Sequence, residues 1–249
     1  MDGIVIVHEA SWDEPFFVVD KPSGLPSAPL REGEDSALTR LVARFPELAG
    51  VRGRKEVECG LVHRLDTATS GLLLVAARQD FYDRIIAEQD AGRFVKSYAA
   101  ECDVIISAPP CEGFPSRPQQ AAVGNWLASG GPASGGDGLE LTVTSRFRPW
   151  GPHGREVRPV AEDSRLGARK KAAPGFYQTE LSLSLRDRAG CHACCRIRRG
   201  YRHQVRCHLA WLGFPVRGDR LYNSAAGESD AFCFRATGLE FLGLSFALN

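Results

Sequence analysis

From Tyr177 to Leu185 the chain alternates strictly: Tyr177, Thr179, Leu181, Leu183 and Leu185 fall on one side of an extended backbone, and every residue between them is polar. A period of two fits a strand with one covered and one open face; in a helix these side chains would point all round. Shorter strand signals lie at Gly3 to His8, Phe16 to Asp20, Leu61 to Leu65, Gly71 to Ala77, Phe94 onward and Cys191 to Arg198. In the stretch after Phe94, alternation puts Lys96 and Tyr98 on one face. Helices interrupt these strands irregularly. One runs from Ser36 to Phe45, with Leu38, Leu41, Val42 and Phe45 at helical spacing, Ser36 as its cap and Pro46 as its stop. Others span Arg78 to Ala91, stopped by Gly92, and His203 to Leu212, stopped by Gly213. No repeat of 20 to 50 residues is present. The expected class is α+β, with a mainly antiparallel sheet, in a single domain over residues 1–249.

Apolar residues make up 43% of the 249 and charged residues 24%, which excludes a disordered chain. No signal peptide and no apolar run of membrane-spanning length is visible, so a soluble, cytoplasmic protein is expected. The eight cysteines lack framework spacing and should be reduced thiols. Residues 146–220 hold 17 of the 31 lysines and arginines but only 6 of the 30 acidic residues, a footprint for a polyanion. Arginine outnumbers lysine 26 to 5, which suits phosphate contacts and equally fits a coding bias. Residues 107–138 are rich in Pro, Gly, Ser and Ala and read as a mobile excursion from the sheet.

Two local patterns carry chemistry. The first is Gly60-Leu61-Val62-His63-Arg64-Leu65-Asp66-Thr67-Ala68-Thr69-Ser70-Gly71-Leu72-Leu73-Leu74-Val75-Ala76. It presents one carboxylate between apolar segments, beside an arginine, in a loop of small residues. Such an aspartate can be a nucleophile, a base, or a loop cap that accepts backbone N–H groups. The second runs from Gly200 to Tyr222 and includes Arg202-His203-Gln204-Val205-Arg206-Cys207-His208-Leu209 and Gly213-Phe214-Pro215-Val216-Arg217-Gly218-Asp219-Arg220-Leu221-Tyr222. Arg202 and Arg206 stand four apart there, over a stripe of Val205, Leu209 and Leu212; alone, the run would read as a solvated basic face.

Together the two patterns resemble the hallmark motifs of RluA-type pseudouridine synthases, H-R-L-D-x-x-T-S-G-L-L and, far downstream, G-R-x-H-Q-I-R-x-H-L with G-x-P-x-x-G-D-x-x-Y. Asp20-Lys21-Pro22-Ser23-Gly24-Leu25-Pro26 and Lys96-Ser97-Tyr98-Ala99-Ala100 are similar to two further motifs of that family. The resemblance covers roughly residues 16–105, 140–160 and 176–247, and leaves out 107–138 and the basic run Arg165 to Lys171. It implies a pseudouridine synthase fold, a mainly antiparallel mixed sheet with helices and loops around an RNA-binding cleft. It also implies isomerisation of specific uridines in rRNA or tRNA, without cofactor or metal, by a monomer.

By the same resemblance Asp66 matches the catalytic aspartate, Tyr98 the tyrosine that stacks on the target base, and Arg206 the basic residue paired with the catalytic carboxylate. Arg64 matches the arginine that helps extrude the uridine; with Lys21, Arg202, His203 and Gln204 it forms the expected RNA-binding set. The reaction frees uracil from C1′, turns it and rejoins it through C5. Asp66 can serve by attacking C1′, by attacking the base, or by assisting removal of the C2′ proton. The target base must leave its stack. Two departures stand out. Gly200-Tyr201-Arg202 shifts an arginine by one place and adds a tyrosine, and Thr67-Ala68 replaces a basic and a polar residue.

Competing readings are weaker. Cys191-His192-Ala193-Cys194-Cys195 resembles half a zinc site, but strand alternation sends Cys191 and Cys194 to opposite faces. His63, His203 and His208 read as hydrogen-bonding parts of the motifs. A glycosidase normally needs a second carboxylic acid, and no motif supplies one. A catalytically inactive RNA-binding protein with the synthase fold is the remaining alternative. About 15 residues precede the core, so no S4 domain is expected at the N-terminus.

Overall fold

The alternating segments become two sets of strands. A computed structural model describes residues 3–31, 33–106, 111–129, 138–187 and 189–248. Its contacts group residues 1–96 with 235–249 as one unit and 97–234 as another. The class is α+β in both.

In the first unit, β1 (Val5–His8), β2 (Phe16–Lys21) and β3 (Ser70–Ala76) pair antiparallel in that order. On the far side of β3 lies β9 (Phe234–Phe241), parallel to it through Ser70 opposite Arg235 and Gly71 opposite Ala236. Gly71 makes this approach possible. At its φ of 116° a Cβ would stand 2.1 Å from the carbonyl oxygen of Ala236, so only glycine fits. The next strand, β10 (Leu244–Ala247), returns along β9 through a tight hairpin at Leu242 and Gly243, both with positive φ.

Helix α1 (Ala37–Arg44) starts as its sequence dictates. The Ser36 hydroxyl accepts from Thr39 N, and the Thr39 hydroxyl accepts from Ser36 N, a reciprocal cap worth about 0.5–2 kcal/mol. Pro46 ends it, opening a short 3-10 turn over Pro46–Gly50. With α2 (Gln79–Asp90) bearing Phe81 and Ile85, the strands enclose a core around Phe16, Leu72, Leu74 and Phe241.

One expected strand does not form. Across Leu61 to Leu65 there is a single bridge, Leu61 to Val75, with bonds from Val62 N to Leu74 O, from Ala76 N to Gly60 O and from Leu74 N to His63 Nε2. Beyond Val62 the backbone leaves β3, and at Leu65 the Ser27 hydroxyl supplies both partners: it accepts from Leu65 N and donates to Leu65 O, each at 2.9 Å. A side chain has replaced the ladder.

The second unit orders its strands β4 (Val95–Asp103), β8 (Gly190–Ile197), β7 (Tyr177–Leu185), β5 (Leu139–Trp150) and β6 (Glu156–Val160). The ladders of β7 with β8 and of β5 with β7 and β6 are antiparallel, β5 using its first half for one neighbour and its second for the other. Alternation is as read: Thr179, Leu181 and Leu183 are buried, and so are Cys191 and Cys195, whereas Cys194 is exposed. Helix α5 (Gln204–Leu212) departs from the amphipathic expectation, since all nine of its residues are buried. Gly213, at a φ of 98°, closes it.

The stretch 107–138 also departs from expectation where it is described. Gln120–Ala128 form helix α3, whose Val123 and Trp126 are buried, with the Trp126 ring 6.1 Å from that of Phe214. Residues 112–113 are held by two buried arginines, Arg158 donating through Nε to Glu112 O at 2.6 Å and Arg148 through Nη2 to Gly113 O at 3.3 Å. Residues 107–110 and 130–137 lie outside the described residues. The basic run forms α4 (Leu166–Lys170), a single exposed turn. Among the described residues no helix is long and apolar enough to cross a membrane, and all eight cysteines are free thiols.

Candidate active-site residues

Asp66 sits at the head of a turn closed by Thr69 N donating to Asp66 O at 3.0 Å, and its side chain is half-buried. The turn is gripped through its backbone by the loop that follows β2. Gly24 N donates to Thr67 O at 2.8 Å, Ser23 Oγ to Ala68 O at 2.6 Å, and Ser27 holds Leu65. Lys21 adds the central contact. Its ammonium donates to Leu25 O at 2.7 Å, Pro22 O at 2.9 Å and Thr67 O at 3.3 Å. Loss of hydration drives its pKa down to about 8, against the pull of Asp66 and Asp20, which favour the charge.

Lys21 therefore corrects the expectation that it touches RNA. At 0% exposure with three carbonyls on its ammonium, it is a positioning residue that ties two loops and brings a positive charge to Asp66. The Arg64 side chain is 51% exposed and pairs with Glu58 at 3.2 Å.

In the second unit, Tyr98 is 8% exposed, and its ring lies on that of Phe234, with centroids 5.3 Å apart and planes within 9°. The start of α5 is built from bonds rather than from a cap. His203 takes a left-handed φ of 55°, rare for a residue with a side chain, and its Nδ1 meets the Tyr222 hydroxyl at 2.9 Å. Gln204, expected at the RNA, faces inward instead. It is 2% exposed; its Nε2 donates to Gln178 O and Thr179 Oγ1, and its Oε1 accepts from Tyr201 N. Arg202 is exposed and donates to Gly154 O and Glu156 O, so the shifted arginine braces the turn between β5 and β6. The added Tyr201 turns inward, stacked on Phe147 at 5.1 Å and beside Tyr177.

Arg206 has a carboxylate the sequence reading did not single out. Nε and Nη2 donate to Asp219 Oδ2 and Oδ1 at 2.8 and 2.7 Å, with both residues buried and the guanidinium flanked by the rings of Tyr222 and Phe232. Asp219 stands inside the quoted Gly218-Asp219 motif, and a carboxylate at a fixed distance from a motif arginine was the signal available. Phe234 under Tyr98 left no such trace.

His63 and His208 are buried and neutral. His208 contacts Ser145 Oγ at 2.9 Å and Thr179 Oγ1 at 2.8 Å; burial brings its pKa to about 3, and burial with the charge of Lys96 does the same for His63. The unfolded chain protonates both below about pH 6.5, the folded chain only near pH 3, so unfolding takes up protons between these values. Stability is expected to fall as pH drops through that window. His63→Gln should reduce the slope by about 1.4 kcal/mol per pH unit near pH 5, read from urea midpoints between pH 7 and 4. An unchanged slope would show that His63 is protonated in the folded state.

With this geometry in view, the family model described as RNA pseudouridylate synthase matches residues 15–211. The chain belongs to that family. Its relatives place it with the RluA type. A "Ribosomal large subunit pseudouridine synthase D" of Pseudomonas aeruginosa is 28% identical over 218 residues, 87% of this chain and 52% of the relative; one of Xylella fastidiosa is 30% identical over 86% and 50%. A "Dual-specificity RNA pseudouridine synthase RluA" of Escherichia coli K12 is 27% identical over 92% of this chain and 81% of its own. The chain thus spans about half the length of the first two. Among solved structures, "Human RNA Pseudouridylate Synthase Domain Containing 1" aligns with all of this chain and 84% of its own, at a TM-score of 0.64 and 19% identity, a likeness of fold.

Proposed function

We propose that this protein is an RNA pseudouridine synthase that isomerises uridine to pseudouridine in rRNA or tRNA, acting as a monomer in the cytoplasm. The observation that carries the reading is the turn at Asp66: a half-buried carboxylate within the family motif, on a backbone fixed by Lys21, Ser23, Gly24 and Ser27. A residue that must meet one sugar carbon or one base gains from such a fixed perch. Asp66, in the first unit, is the catalytic residue. By the family motifs, Tyr98 is read as the residue whose ring takes the extruded base and Arg206 as a basic residue of the reaction, and Arg64, Arg202 and His203 are read as RNA contacts. In the reaction the bond from C1′ to N1 breaks and a bond from C1′ to C5 forms. N1 takes up a proton as the C5 hydrogen passes to solvent, so atoms balance without cofactor or metal.

In cells lacking the native gene, pseudouridine mapping across total RNA with wild type and Asp66→Asn tests this. A site modified with wild type and unmodified with the variant is expected, and it names the substrate. Identical maps for the two would overturn the assignment of Asp66.

A further inference from the structure

The open face of the second unit carries a chain of three groups that uridine isomerisation does not use. Alternation along β8 puts His192, Cys194 and Arg196 on the side away from the buried Cys191, Ala193 and Cys195. His192 Nδ1 lies 2.8 Å from Glu101 Oε1 on the neighbouring β4, and His192 Nε2 lies 3.5 Å from Cys194 Sγ. Glu101 is in turn 3.3 Å from Arg186. Burial works against the charge on Glu101, but the hydrogen bond from His192 and the charge of Arg186 hold its carboxyl below the ordinary range. Carboxylate, imidazole and thiol stand in the order that orients a base and lets it take a proton from a nucleophile. Across the ladder from Cys194 stands Ser182, a small side chain that leaves the thiol approachable. Cys102, Cys191, Cys195 and Cys207 are buried, and burial raises their thiols; Cys194 is exposed.

We propose that Cys194 is a modification site, a thiol activated by the Glu101–His192 pair that forms mixed disulfides with small disulfides of the glutathione type. His192 Nε2 takes the thiol proton, and Glu101 stabilises the imidazolium. The thiolate attacks one sulfur of the disulfide, whose S–S bond breaks as the new one forms. The other sulfur leaves as a thiolate and receives the proton from His192. Cys194 is oxidised and one half of the attacked disulfide is reduced, so the electrons balance.

The test is to incubate the full chain with oxidised glutathione at pH 7 and follow adducts by intact mass and peptide mapping. The first adduct is expected on Cys194, ahead of the half-buried Cys59, Cys111 and Cys233. His192→Gln should slow its formation by about tenfold, and Glu101→Gln, which keeps a hydrogen-bonding oxygen but loses the charge, by a smaller factor. Cys194→Ser should abolish that adduct while leaving pseudouridine formation unchanged. A first adduct on another cysteine, or equal rates in His192→Gln and wild type at matched melting temperatures, would overturn the proposal.

Discussion

Asp66→Asn is expected to fold as the wild type does and to form pseudouridine at least about 10,000-fold more slowly. The fold should survive because the turn is held at several backbone atoms that the substitution leaves in place: Leu65, Thr67 and Ala68 are held through their carbonyls, and Thr69 N donates to the Asp66 carbonyl. An amide on the same perch has nearly the same shape but neither negative charge nor basicity. Covalent attack and proton removal are lost together, whichever of them Asp66 performs. Single-turnover rates with melting temperatures check the result. A variant within tenfold of wild type would move the catalytic role away from Asp66.

Asp219→Ala should cost about 3–5 kcal/mol of stability, among the largest single losses available to the second unit. Arg206 is 5% exposed and Asp219 1%, and two short bonds join them. Removing the carboxylate takes two short, charge-assisted bonds from a buried guanidinium flanked by the Tyr222 and Phe232 rings. Leu221 N, which donates to Asp219 Oδ1 at 3.0 Å, loses its acceptor as well. The pair Arg206→Met with Asp219→Leu should cost less than Asp219→Ala alone, because no buried charge then remains. Urea unfolding of the three variants measures this; a loss below about 1 kcal/mol in Asp219→Ala would show that the Asp219 carboxylate is not what compensates the buried Arg206 charge.

Much of the fold was legible where one face of an element is wet. The alternation over Tyr177 to Leu185 returned as β7 with those bounds, and the Ser36 cap and Pro46 stop delimited α1. Legibility failed where side chains do work usually left to backbone or water. Leu61 to Leu65 reads as a strand, yet the Ser27 hydroxyl takes over its pairing. In 107–138 the composition hides α3, which is set by the burial of Val123 and Trp126. Strands β5, β6, β9 and β10 were not marked out by a pattern of their own.

The candidate residues divide in the same way. Asp66, Tyr98 and Arg206 could be picked out only through long motifs, since a lone carboxylate in a small-residue loop fits a cap equally well. Lys21 and Gln204 were misread because polar residues in a motif suggest a ligand. Their partners are carbonyls and a hydroxyl of their own units, and the burial that reveals this depends on loops distant in sequence. Arg148 and Arg158 belonged to a basic excess that suggested a polyanion, yet both are inside, holding the chain at 112–113.

The most direct measurement is release of tritium from RNA labelled at uridine C5, with purified protein and no other factor. Pseudouridine formation must expel the C5 hydrogen, whereas binding alone expels nothing. Wild type is expected to release tritium from rRNA or tRNA in amounts matching the pseudouridine formed. Binding of the same RNAs with no release would contradict the account and leave a binder that carries a synthase's residues.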